Sequence, residues 1–153
     1  MMIRIKLIHL LSIVSISLWC LPSIGYASEG WLTDFEAAVA KAEIEKKPLL
    51  VNFTGSDWCG WCIRLDKEVF SKPAFKEYAA RELVLVKIDF PRRKEKLSEE
   101  LKVQNKELAE RFNVRGYPTI LLLSADESLI GKTGYREGGA EAYIAHIKEM
   151  IAK

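Results

Sequence analysis

The stretch from Leu49 to Cys62, Leu-Leu-Val-Asn-Phe-Thr-Gly-Ser-Asp-Trp-Cys-Gly-Trp-Cys, constrains the fold more than any other part of the chain. Leu49 to Phe53 is an apolar run of strand length, and Thr54-Gly55-Ser56-Asp57 is turn chemistry that ends it. Beyond the turn, Cys62, Leu65 and Val69 recur at helical spacing and share a face. Cys59 and Cys62 therefore stand at the opening of a helix. A thiol there meets unpaired backbone N–H groups and the positive end of the helix dipole, and both favour thiolate. Two intervening residues bring the second sulfur one turn on, close enough to close a small disulfide ring. The pattern is that of a reversible redox switch carried on a strand–turn–helix unit.

The N-terminus has a different character. Arg4 and Lys6 make a basic start, Leu7 to Leu21 is almost wholly apolar, and Gly25 and Ala27 put small residues at −3 and −1 of a cut after Ala27. This is the layout of a secretory signal peptide over residues 1–27, with the folded domain over 28–153. The apolar segment 7–21 is short for a membrane anchor, which needs about 20 residues. Trp19 is too bulky for a lipoprotein cut before Cys20. The expected location is periplasmic or secreted.

Without the leader the chain has 21 basic and 21 acidic side chains, so no net charge draws it to nucleic acid or an acidic membrane surface. Its cysteines are then Cys59 and Cys62 alone, and its one histidine is His146, expected to be exposed. A loop this short makes a poor structural staple. A structural zinc site wants four ligands, and no second cysteine pair exists, so no metal is expected.

The other elements follow from period and punctuation. Thr33-Asp34-Phe35-Glu36 reads as a capping box headed by Thr33, opening a helix whose apolar face is Phe35, Ala38, Val39 and Ala42. Pro48 stops it before the central strand. The cysteine helix runs to about Phe70, and Ser71-Lys72-Pro73 restarts a shorter one carrying Phe75 and Tyr78. Leu83 to Phe90 is a second buried strand, parallel to the first. Arg92-Arg93-Lys94 opens a charged segment in which Leu97, Leu101, Leu108 and Phe112 recur at near-helical intervals. Its acidic residues interleave, so it reads as a solvated loop and helix rather than a basic face. Thr119 to Leu123 and Leu129 to about Tyr135 make an antiparallel pair, and Ala140, Ile144, Ile147 and Ile151 mark the face of a closing helix. The sum is an α/β fold, a small mixed sheet flanked by helices.

Three local features carry a family resemblance across roughly Trp31 to Ile151: Trp58-Cys59-Gly60-Trp61-Cys62 after a strand, Tyr117-Pro118-Thr119 before a strand, and the closing hairpin and helix. The chain resembles the thioredoxin superfamily. Its leader, its lead-in to the cysteines and its charged helical insert are similar to exported bacterial disulfide reductases of the DsbH kind and, more distantly, to the C-terminal domain of DsbD. The resemblance implies a thioredoxin fold and a thiol-disulfide oxidoreductase that needs no cofactor beyond a redox-active Cys59–Cys62 disulfide. Cys59 would be the exposed nucleophile and Cys62 the buried resolving thiol. Pro118 would be a cis-proline that leaves the backbone of Tyr117 free to pair with a substrate strand. Trp58, Gly60 and Trp61 would frame the sulfurs. The implied partners are disulfide-containing proteins and a membrane electron donor of the DsbD kind, with the protein itself a monomer.

The departures from thioredoxin are specific. Thioredoxin carries a buried aspartate beneath the disulfide that helps move protons, and the matching residue here is Asn52, which cannot accept one. Asp57 is close in sequence, but its charge would oppose a thiolate at Cys59. Gly60-Trp61 supplies no charge between the cysteines, which favours a reductant near ~−270 mV over an oxidant near ~−120 mV. Two alternatives stay open. The stretch Arg115-Gly116-Tyr117-Pro118-Thr119 also resembles protein disulfide isomerases, and two thiols could instead pass copper or sit beside a client-holding surface.

Overall fold

The computed structural model describes residues 26–28, 30–93, 95 and 97–152. The expected leader lies outside the described residues except for Tyr26 and Ala27. Those two belong to a short strand, β1 (Tyr26–Ser28), that pairs antiparallel with β2 (Trp31–Leu32). Sequence period did not announce this hairpin. Two residues carry too little pattern, and β2 is held by its parallel neighbour, with Trp31 opposite Leu85 and Leu32 opposite Val86.

The remaining elements are α1 (Phe35–Glu45), β3 (Leu49–Thr54), α2 (Gly60–Leu65), α3 (Pro73–Glu82), β4 (Val84–Asp89), α4 (Glu99–Arg111), β5 (Thr119–Leu123), β6 (Leu129–Thr133) and α5 (Gly139–Ile151). A π-helical turn, Asp66–Phe70, continues α2 without a break. The sheet order is β1-β2-β4-β3-β5-β6. Strands β2, β4 and β3 are parallel, and β5 and β6 run antiparallel to their neighbours. The parallel pairing of β3 with β4 and the closing hairpin are those expected from the sequence.

Strand β3 is central, and all six of its residues are buried. Alternation along it divides the core in two. Leu49, Val51 and Phe53 point to one face with Val86 and Ile88, beneath α1 and Leu108 of α4. Leu50 points to the other with Leu85, Ile120 and Leu122, against α2, α3 and α5. Each large apolar side chain buried this way contributes about 1.5–3 kcal/mol. Asn52 shares the face of Leu50, and β3–β4 register sets it opposite Lys87. The α2 side of the sheet therefore turns polar where the strands end, next to the cysteine helix.

Three expectations need correction. The N-cap of α1 is Asp34, whose carboxylate accepts from the Ala37 N–H at 3.0 Å. Thr33 offers its carbonyl to Gln104 Nε2 instead, and Gln104 Oε1 accepts from the Phe35 N–H, tying α4 to the start of α1. The buried face of α5 is Ala140, Tyr143, Ile147 and Met150, with Ile151 41% exposed in the last turn. Tyr143 wins the inward position because its hydroxyl has a partner, donating to the Gly134 carbonyl at 2.9 Å. His146 is half-buried rather than exposed, with Nε2 3.1 Å from Thr133 Oγ1.

Candidate active site

The backbone builds the site before any side chain does. Strand β3 delivers the chain to Gly55, whose carbonyl accepts from the N–H groups of Trp58 and Cys59, closing the turn. Cys59 is then the N-cap of α2, with extended backbone, and its sulfur takes the Cys62 N–H at 3.2 Å. A sulfur in the capping position of a helix substitutes for the usual Ser or Asp oxygen and receives an amide that would otherwise be orphaned. Cys59 and Cys62 are joined by a disulfide, with their Cα atoms 5.2 Å apart.

Both cysteines are covered. Cys59 is 7% and Cys62 4% exposed, so the expected contrast between an open first thiol and a buried second one is small in this oxidised state. The exposed surface belongs to their neighbours, Trp58 at 38% and Trp61 at 55%. A side chain at Gly60 would meet nothing within 4 Å, so the ground between the two tryptophans is open.

Trp58 is fixed on three sides. Its indole N–H donates to the Phe90 carbonyl at 2.7 Å, its ring meets the edge of Tyr117 at 5.8 Å, and the Arg92 guanidinium lies over it. Gly55 makes this possible, since a Cβ there would come within 2.5 Å of the indole. Trp61 packs against Tyr135 at 5.0 Å, with Arg64 over both rings. Glu68 binds Arg64 and accepts from the Tyr135 hydroxyl at 2.7 Å. That hydroxyl bond, followed by the one from Arg64, holds the Glu68 carboxyl below its ordinary value. The same bond holds the Tyr135 hydroxyl above its own.

The Tyr117–Pro118 peptide is cis and directly precedes β5. Because Phe53 pairs with Thr119, this bend sits at the end of β3 from which the cysteine turn departs. The Tyr117 ring bridges Trp58 and Phe90, and its burial raises the phenol pKa. All seven residues singled out from the sequence thus lie around one end of the sheet.

Asp57 is engaged elsewhere. Its carboxylate accepts from the backbone N–H groups of Arg92 and Arg93 at 2.8 and 3.3 Å, clamping the loop after β4 to the cysteine turn. Asp89 does similar work, accepting from the N–H and hydroxyl of Ser56. Asn105 of the charged insert donates to the Asp89 carbonyl at 2.8 Å and is buried. Sequence period could not find this clamp, because its members are 16 to 36 residues apart and each is an ordinary polar residue. Among the described residues no cluster of three or more His, Cys, Asp or Glu side chains could hold a metal. Among those residues, also, no helix is long and apolar enough to cross a membrane.

The comparisons with known proteins agree with this geometry. Residues 30–125 match the family model described as thioredoxin-like. A protein from Chlamydia pneumoniae named Disulfide bond reductase DsbH is 31% identical over 117 residues, covering 76% of this chain and 70% of that protein. A solved structure titled DsbH Oxidoreductase superposes with a TM-score of 0.77 at 30% identity, covering 88% of this chain and 92% of that one. The C-terminal domain of DsbD from Neisseria meningitidis in its reduced form, at 20% identity and TM-score 0.56, shares the fold; 74% of this chain and 91% of that one are covered. With a matching family model over most of the folded region and a bonded cysteine pair at the head of α2, this chain belongs to the thioredoxin-like family and is a thiol-disulfide oxidoreductase.

Proposed function

We propose that the protein is a periplasmic disulfide reductase in which Cys59 attacks and Cys62 resolves. The observation that carries this reading is the Cys59 sulfur at the cap of α2, accepting the Cys62 N–H beside an open glycine. In the reduced protein the same amide and helix end would stabilise a Cys59 thiolate. That thiolate attacks one sulfur of a substrate disulfide, forms a mixed disulfide and expels the first substrate thiolate. Cys62 then loses its proton and attacks the Cys59 sulfur. The second substrate thiolate leaves, and the Cys59–Cys62 bond carries away the two electrons. Trp58 and Trp61 give the substrate an apolar rim, and the backbone at Tyr117, beside Pro118, offers an edge to which an extended segment can pair.

Gly60-Trp61 puts no charge between the cysteines, which supports the reducing direction. The name of the Chlamydia pneumoniae relative points the same way. A reductant in an oxidising compartment must be recharged, so the proposal includes a membrane electron donor of the DsbD kind and export directed by residues 1–27. The protein acts as a monomer and works through its Cys59–Cys62 disulfide without a further cofactor.

Replacing Cys62 by serine tests the assignment of roles. The variant should accumulate stable mixed disulfides through Cys59, visible as a shift on non-reducing gels that dithiothreitol reverses. Failure to trap any disulfide-bearing protein would contradict the reading.

A further inference from the structure

Asn52 is 7% exposed, and its Oδ1 is buried with no hydrogen-bond partner among the described residues. A buried acceptor left unpaired costs about 1–3 kcal/mol, so native chains keep one only where something meets it. Strand period turns Asn52 towards α2, where it lines a cavity of about 150 Å³. The same cavity is lined by Thr54, Ser56, Cys62, Asp66 and Lys87. It is polar and large enough for ordered water. It also touches Cys62, the thiol that must shed its proton for the mixed disulfide to resolve.

We propose that this cavity is a water-filled proton path joining the Cys62 thiol to the Asp66 carboxylate, with Asn52 Oδ1 fixing the water. The proposal rests on the dithiol mechanism above. Asp66 follows Cys62 by one helical turn, and its N–H donates to the Cys62 carbonyl, so the two side chains share a face. Ser71 Oγ holds one carboxylate oxygen at 3.1 Å. Asp66 is itself exposed and also lines the cleft between α1 and α3, so a proton delivered to it reaches solvent. Lys87, opposite Asn52 across β3 and β4, lines the same cavity and brings a positive charge to it.

The other charged groups near the site are committed. Asp89 binds Ser56, Asp57 binds the loop at Arg92 and Arg93, and β5 brings no titratable side chain. When the mixed disulfide resolves, the Cys62 proton passes through water to Asp66. The thiolate forms the bond to Cys59, and the substrate thiolate leaves with the electron pair of the broken bond. Recharging runs the same path backwards. Asp66 is a positioning residue in this scheme, standing in for a carboxylate that the strand lacks.

Reduced protein mixed with 5,5′-dithiobis(2-nitrobenzoate) separates the steps, because each releases one coloured thiolate. The first phase reports attack by Cys59, and the second reports closure by Cys62. In Asp66→Asn the first phase should stay within about twofold of wild type. The second should slow at least ~10-fold at neutral pH and recover as rising pH lets hydroxide take the proton. Adding Asn52→Asp to that variant should restore the second phase at neutral pH. A second phase in Asp66→Asn with wild-type rate and pH profile overturns the relay. So does one slowed equally at every pH, or a double variant as slow as the single one. Loss of the first phase in the unaltered protein would instead overturn the dithiol reading beneath it.

Discussion

Gly55 and Trp58 show how one missing side chain positions another residue. The indole lies where a Cβ on Gly55 would be, and from there it reaches the Phe90 carbonyl and the Tyr117 ring. Gly55→Ala should push the indole out, destabilise the fold by about 1–3 kcal/mol and shift tryptophan fluorescence. An unchanged urea midpoint would contradict that contact. Tyr143→Phe should cost about 1 kcal/mol by leaving the partly buried Gly134 carbonyl without its phenol donor, measured by the same titration. The site itself was legible because the two sulfurs are three residues apart and their partners are aromatic or proline. What stayed hidden were plain polar residues whose neighbours are distant in sequence. Asn52 could be matched to a missing aspartate, but nothing in the sequence showed that its oxygen would face a cavity shared with Asp66 and Lys87.

Elements were legible in proportion to their length and one-sidedness. The apolar face of α1 and the buried strands β3, β4 and β5 follow from period alone, since each has a single dry side or none wet. The cap of α1 lies one residue beyond the expected Thr33, because Thr33 and Asp34 are both good caps and only backbone geometry separates them. Asp34→Ala should therefore cost about 1 kcal/mol, whereas Thr33→Ala should stay within about 0.5 kcal/mol. Thermal unfolding of the two variants decides, and the reverse order would restore Thr33 as the cap. On α5, Tyr143 and Ile144 compete for the same inward stripe. A count of aliphatic residues picks the wrong one, because it ignores the carbonyl waiting for a phenol. The π-helical turn at Asp66–Phe70 leaves no trace in a spacing rule.

At the scale of the molecule, two layers of helices hold a sheet whose polar end carries the chemistry, and side-chain clusters fasten that end. Glu68, with Arg64 and Tyr135, joins the cysteine helix to the segment after β6. Its carboxyl is held below the ordinary value of 4.5, first by the Tyr135 hydroxyl and then by Arg64. The folded state therefore gains from this cluster fully above that ordinary value and loses the gain as pH falls through the lowered one. Trp61 fluorescence should change over that acid range in the wild type and not in Glu68→Gln. Identical acid titrations of the two would contradict the linkage.

The proposed reductase requires a dithiol that gives its electrons away more readily than it takes them. Equilibrating the protein with glutathione buffers, and reading the Cys59–Cys62 bond by alkylation and mass shift, measures this directly. The expected potential is near ~−270 mV. A value above about −150 mV, in the range of strong oxidants, would contradict it.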